Sequence, residues 1–203
     1  MGELRDRKKR ETRERISDVA TALFVQRGFD AVTVDEIAAA AQVSTVTVFN
    51  YFGRKEDLFF DRGEENDALV REALAARGGE APVPALRRFV HGLVKEAHPL
   101  VAFADVTTSF WRTAKESAAL RGKARELRAE FERALAGMLQ ELAPKDAAAP
   151  LVAAMLTAGW CTAFADVLRR PRPTAAGSRR EFLRRIDLAF DIVQQGIRGS
   201  TLA

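Results

Sequence analysis

One cysteine, Cys161, and two histidines, His91 and His98, make up the thiol and imidazole inventory of this 203-residue chain. A lone thiol forms no intramolecular disulfide and no cysteine-based zinc cluster, so a reducing cytoplasm is the expected location. The two histidines stand seven residues apart, whereas paired helical zinc ligands sit at i and i+4. No metal site and no cofactor is expected, and no catalytic set assembles from so few acid–base and nucleophilic groups, so an enzyme is not expected. An apolar leader is also missing, because the opening MGELRDRKKRETRERIS runs straight into charge. Period-two alternation is nowhere sustained, which argues against strands. Composition at 47% hydrophobic and 30% charged excludes a disordered, collagenous or disulfide-stapled chain. The net charge of +4 permits an anionic partner without requiring one.

Long hydrophobic runs are scarce. The one stretch resembling a membrane span, Ala147–Ala165, is Ala-rich, contains Pro150, Thr157 and Thr162, and is flanked by Asp146 and Asp166. A span needs ~20 strongly apolar residues. A helix apolar on all sides is also what a helix buried between its own core and a partner subunit looks like, and no membrane association is expected.

What is present is helical periodicity. Ile16, Val19, Ala20, Leu23 and Phe24 fall at i, i+3, i+4, i+7 and i+8, and Gly28 stands where such a helix would stop. Thr33 with Glu36 three residues on predicts a capping box opening a short second helix with Val34, Ile37, Ala38 and Ala41 inward. Ser44 is placed to cap a third over Thr45–Phe52, and a fourth is predicted from Lys55, with Glu56 and Asp57 suited to the dipole of its first turn. The Gly- and Pro-containing segment Arg77–Pro84 predicts a loop. Helical patterns follow over Leu86–Ala97, Leu100–Lys115, Ala118–Ala143 and the Ala-rich run. Ser178 and Glu181 predict a second capping box, opening a last helix with Phe182, Ile186, Ala189, Phe190, Val193 and Ile197 on its stripe. The expected fold is all-α with about nine helices.

Two short helices joined by a tight turn, after a first, make a minimal helix-turn-helix unit. The third helix carries Thr45, Val46, Thr47, Asn50 and Tyr51 on faces not needed for packing, leaving Val43, Val48 and Phe52 to hold it. Small and hydrogen-bonding side chains suit a helix entering a major groove: Thr and Val methyls meet thymine methyls, and Asn can pair bidentately with adenine. Lys55 and the Tyr51 hydroxyl are suited to phosphates. Residues 1–15 carry seven basic against four acidic side chains, an arm able to follow the sugar-phosphate backbone or enter a minor groove.

The stretch TALFVQRGFDAVTVDEIAAAAQVSTVTVFNYFGRKEDLF resembles the N-terminal signature of TetR/AcrR-family transcriptional regulators. Arg27-Gly28-Phe29, Thr33 with Ile37-Ala38, Val43-Ser44, Tyr51-Phe52 and Lys55-Glu56 stand in the family's order and spacing. The resemblance implies a helix-turn-helix DNA-binding domain over residues 1–53, with the basic arm at 1–15, and a larger effector-binding and dimerisation domain over 54–203. It implies base contacts at Thr45, Val46 and Asn50 and backbone contacts at Thr47, Tyr51 and Lys55, with the caps Thr33 and Ser44 counted in the DNA-binding set. Three positions depart from the pattern: Gln42 replaces the turn glycine, Phe49 the first tyrosine of the recognition helix, and Arg54 the serine cap of the fourth helix. A positive φ at residue 42 would cost Gln ~1–2 kcal/mol more than Gly.

By the same resemblance the chain is expected to be a ligand-responsive repressor, binding a pseudo-palindromic double-stranded operator as a homodimer and released by a small-molecule effector of unknown identity. The pocket wall is expected around Phe103, Asp105, Thr107, Thr108, Phe110 and Trp111. Leu156, Trp160, Phe164, Phe182, Ile186, Phe190 and Val193 are expected at the dimer face. Aromatics at helical spacing also serve as core, and Cys161 within an apolar helix is expected to be a buried, unreactive thiol.

Overall fold

In the computed structural model the described residues are 2–61, 63–103, 105–170 and 174–203, with the side chains of 2–4, 63–64 and 105–108 outside that description. Every regular element among them is helical: α1 (Gly2–Arg27), α2 (Val34–Ala40), α3 (Thr45–Tyr51), α4 (Lys55–Phe59), α5 (Gly63–Ala75), α6 (Pro82–Lys95), a 3-10 turn (Pro99–Val101), α7 (Asp105–Glu116), α8 (Ala118–Leu142), α9 (Ala149–Leu168) and α10 (Ala175–Gly196). There is one α-helix more than expected because the predicted fourth breaks where Phe60 leaves helical geometry at ψ 48. The expected arm is not a loose tail, since residues 2–15 form the first half of α1.

Helix starts follow local chemistry. α6 opens at Pro82, before the predicted Leu86, because a proline in the first helical turn lacks only an N–H that would be unpaired there anyway. α10 corrects a prediction: it is capped by Thr174, whose Oγ1 accepts from the Gly177 N–H at 3.1 Å. The Ser178/Glu181 box does not form. Both residues lie inside the helix and are buried, and the Glu181 carboxylate accepts from Arg184 (2.6 Å) and Arg185 (2.9 Å) and pairs with Arg170 (3.1 Å).

The chain divides into two compact units, one of Met1–Gly63 with Ser109–Ala124, the other of Glu64–Thr108 with Arg125–Ala203. The first reaches past the boundary drawn at residue 53 because α4 packs on α1 through Leu58 and Phe59. Its core gathers Ile16, Ala20 and Phe24 from α1, Phe29 and Val32 from the corner after it, Ile37 and Ala38 from α2, and Val48 and Phe52 from α3 and its end. Phe59 and Phe110 stack with ring centroids 4.0 Å apart, and Lys123 meets Asp57 at 2.6 Å.

In the second unit α9 packs along α10, with Val152, Ala153, Leu156, Phe164 and Val167 buried beside Phe182, Ile186, Phe190 and Val193. Gly159 permits their close approach, because a Cβ there would lie 2.5 Å from the Ala189 Cβ. α9 is the one helix among the described residues long and apolar enough to cross a membrane. Asp146 ties the chain end to the start of α9, accepting from the N–H groups of Ala148 (2.9 Å) and Thr201 (3.0 Å) and from the Ser200 hydroxyl (2.5 Å).

Candidate nucleic-acid interface

The helix-turn-helix begins with the predicted capping box. Thr33 N–H donates to Glu36 Oε2 at 2.7 Å, and Glu36 N–H donates to Thr33 Oγ1 at 3.2 Å. Arg27, in the last turn of α1, meets the same carboxylate at 2.8 Å. The bond from the Thr33 backbone, then that from Arg27, lowers the Glu36 pKa from 4.5 to about 2.

The turn between α2 and α3 is a Schellman motif. Val43 N–H bonds the Ala38 carbonyl at 3.0 Å and Gln42 N–H bonds that of Ala39 at 3.1 Å, with Gln42 at φ 55. This is the left-handed geometry for which glycine is suited, so the substitution noted in the sequence is strained. Val43, just beyond the turn, packs on the core and fixes the angle at which α3 departs.

α3 is then pinned at its start. Ser44 Oγ accepts from Thr47 N–H at 3.0 Å and lies 2.8 Å from Thr47 Oγ1, while Thr45 Oγ1 donates to Asp35 Oδ1 of α2 at 2.6 Å. Val48 and Phe52 face inward. Outward stand Val46, 68% exposed, Asn50, and Phe49 at 48%. The expected base-reading trio thus separates: Val46 and Asn50 are open, and Thr45 is half-buried with its hydroxyl proton held by Asp35. Thr33 and Ser44 act through their caps, and Tyr51 is half-buried at the end of α3. The sequence reading missed Asp35 as a neighbour of Thr45, although a first-turn carboxylate on α2 is the signal that would have suggested it.

Lys55 also has a place in the fold. Its Nζ donates to the Phe29 carbonyl at 2.6 Å and sits 4.2 Å from the Phe29 ring centroid. Burial pushes its pKa below the ordinary lysine value, against the opposing pull of Asp30, Glu56 and Glu36. That bond takes one of the ammonium's three N–H donors and ties the start of α4 to the corner after α1.

The expected pocket residues are drawn from both units. Phe110 and Trp111 belong to the aromatic cluster of the first unit, 6.0 and 6.3 Å from the Phe60 ring. Phe103 belongs to the second, with rings 5.0 Å from Phe164 and 5.5 Å from Phe182. The side chains of Asp105, Thr107 and Thr108 lie outside the described residues. Most of the residues expected at the dimer face are packed inside their own chain. Leu156, Phe164, Phe182, Ile186, Phe190 and Val193 are buried within their own chain and Trp160 is half-buried, its ring 5.0 Å from that of Phe182. The apolar side chains that α9 and α10 leave open are Leu151, Leu188 (54% exposed) and Ile192 (52%).

Among the described residues every regular element is helical, and a short capped helix stands on a helix-turn-helix frame. Residues 16–61 match the family described as bacterial regulatory proteins, tetR family. The chain is 35% identical over 97 residues to the HTH-type transcriptional regulator TcmR of Streptomyces glaucescens, covering 46% of this chain and 43% of that one. It therefore spans less than half the length of that relative. The fold is shared with FadR of Thermus thermophilus, a TetR-family transcriptional repressor solved in complex with lauroyl-CoA, at 24% identity and a TM-score of 0.61, over 91% of this chain and 94% of FadR. It is shared also with SmeT, the repressor of the Stenotrophomonas maltophilia multidrug efflux pump SmeDEF, at 18% identity and a TM-score of 0.58, over 91% and 89%.

Proposed function

We propose that this chain is a repressor that reads a pseudo-palindromic operator as a homodimer and leaves it when a small-molecule effector binds. The observation that carries the reading is α3, capped by Ser44 and tethered to Asp35, with Val46 and Asn50 facing solvent side by side with Phe49. Rigid presentation of a few short side chains is what base reading in a major groove requires. Val46 offers methyls to thymine and Asn50 a bidentate partner to adenine, while Thr47 and Tyr51 flank them towards the backbone.

Two-fold pairing through Leu151, Leu188 and Ile192 covers the apolar face that α9 and α10 leave exposed. A dimer holding two copies of α3 ~34–36 Å apart matches successive major grooves. For the effector, support comes from Thr157 of α9, whose buried hydroxyl is the only buried side-chain polar atom among the described residues without a hydrogen-bond partner. Such an orphan calls for a partner that the chain does not supply. A ligand taken up in the second unit releases DNA only to the extent that it binds the released arrangement more tightly.

The test is Asn50→Ala against a panel of point-changed duplexes. Selective loss of ~1–3 kcal/mol at one base pair per half-site supports base reading by α3. Equal loss on every sequence assigns Asn50 to the backbone and removes the reading.

A further inference from the structure

Two carboxylates bracket the helix-turn-helix, Asp30 in the corner before α2 and Asp57 in the first turn of α4, and the start of α8 takes both. Ser117, the buried residue just before α8, donates its hydroxyl to Asp30 Oδ1 at 2.8 Å and accepts from the Leu120 N–H at 3.4 Å. Leu120 is fully buried in the core of the first unit. Three residues further on, the Lys123 ammonium meets Asp57 Oδ1 at 2.6 Å. Ser117, Leu120 and Lys123 stand at three-residue intervals and so share one side of the helix. All of them lie in the first unit, which takes in Ser109–Ala124.

Asp57 also serves a second partner. Its other oxygen, Oδ2, accepts from the Arg54 N–H at 2.9 Å, and Arg54 comes two residues after Phe52, the cap that closes α3. One carboxylate thus joins Lys123 to the backbone that leaves α3. The Lys123 side chain is 12% exposed and that of Asp57 28%, so salt screens this pair less than one at the open surface. Without its cation the carboxylate would turn towards water, and the Arg54 N–H would lose its acceptor. We propose that Lys123 is a positioning residue for base reading: through Asp57 it fixes the exit of α3 and with it the aim of Asn50. The inference rests on the DNA-reading function proposed above and adds to it a residue that acts without touching the duplex. Ser117 holds the entry corner and Lys123 the exit, so the start of α8 sets the frame in which α3 is presented. Small displacements of that frame matter, because hydrogen bonds to base edges weaken steeply with misalignment.

The full-length Lys123→Met variant, which keeps the aliphatic stem, tests this on a duplex selected from random sequence and on a scrambled duplex of the same length. Both are titrated at one salt concentration, with the active fraction counted by stoichiometric titration. A misaimed α3 loses contacts to bases and keeps those to the backbone. The expected result is affinity about tenfold weaker on the selected duplex and unchanged on the scrambled one, with Lys123→Arg restoring most of the loss. Asn50→Ala is expected to cost less in the Lys123→Met background than in wild type, because both changes act on one contact. Lys123→Gln, whose amide still offers an N–H to Asp57, is expected to show a smaller loss of the same pattern, and it carries the test where circular dichroism finds Lys123→Met unfolded. Equal weakening on both duplexes, effects that simply add to those of Asn50→Ala, or no change on either duplex overturns the positioning role and leaves the DNA-reading function standing. A wild type that binds the two duplexes equally overturns that function, and the inference with it.

Discussion

The ammonium of Lys55, at the first position of α4, donates to the carbonyl of Phe29 at 2.6 Å and lies 4.2 Å from the centre of its ring. One side chain thereby joins the corner that follows α1 to the start of α4, across the segment that contains the helix-turn-helix. Lys55→Ala is expected to lower stability by about 1–2 kcal/mol, through a lost charged hydrogen bond and cation–π contact. The salt slope of DNA binding should stay unchanged. A slope shallower by about one, with stability intact, would place Lys55 among the phosphate contacts.

Gln42 holds a left-handed conformation that its side chain disfavours. Gln42→Gly relieves ~1–2 kcal/mol of strain in the native turn and gives back ~0.4–1 kcal/mol through the freer unfolded chain. A net gain of about 1 kcal/mol is expected from denaturant midpoints at constant m-value. A loss would show that the Gln42 side chain makes a contact outweighing its backbone strain.

Leu188 and Ile192 stand open on α10 while the larger residues of its stripe are buried. The double variant Leu188→Arg/Ile192→Arg is expected to sediment as a monomer with its helical content retained, and to lose the affinity gained from paired half-sites. A dimer that survives both changes places the two-fold contact elsewhere.

Glu181 has its pKa lowered from 4.5 to about 2, first by its bonds from Arg184, then by those from Arg185. A carboxylate depressed in the folded state stabilises it fully above pH 4.5, and that contribution disappears as the pH falls towards 2. Glu181→Gln is therefore expected to be less stable than wild type near neutrality, with the gap closing between pH 4.5 and 2. A gap constant over that interval would show that the guanidinium contacts leave the carboxylate's titration unperturbed.

Much of this was legible in the chain itself. Apolar spacing marked the helices, and the Thr33/Glu36 box, Ser44 cap and Gly28 stop marked the first unit's corners, because caps and turns are local chemistry. The Ser178/Glu181 pair failed because the same spacing also occurs within a helix, and Thr174 caps α10 one turn earlier. The position of Lys55 at the start of α4 was clear, but its bond to the Phe29 carbonyl was not, because that partner is distant in sequence. The burial of the residues expected at the dimer face has a related reason. A stripe such as Phe182, Ile186, Phe190 and Val193 shows which face is most apolar, and that face goes to the chain's own core first. Only the packed structure reveals that Leu188 and Ile192 are left over.

The central claim, that α3 reads sequence and does so in pairs, is tested most directly by selecting random duplex DNA with the purified full-length protein at near-physiological salt and sequencing what is retained. The account predicts enrichment of an inverted repeat whose half-sites are one helical turn apart, ~34–36 Å centre to centre. A folded protein that enriches no sequence would contradict it, leaving α3 as a packing helix and the cations of α1 as a source of sequence-independent, salt-sensitive binding alone.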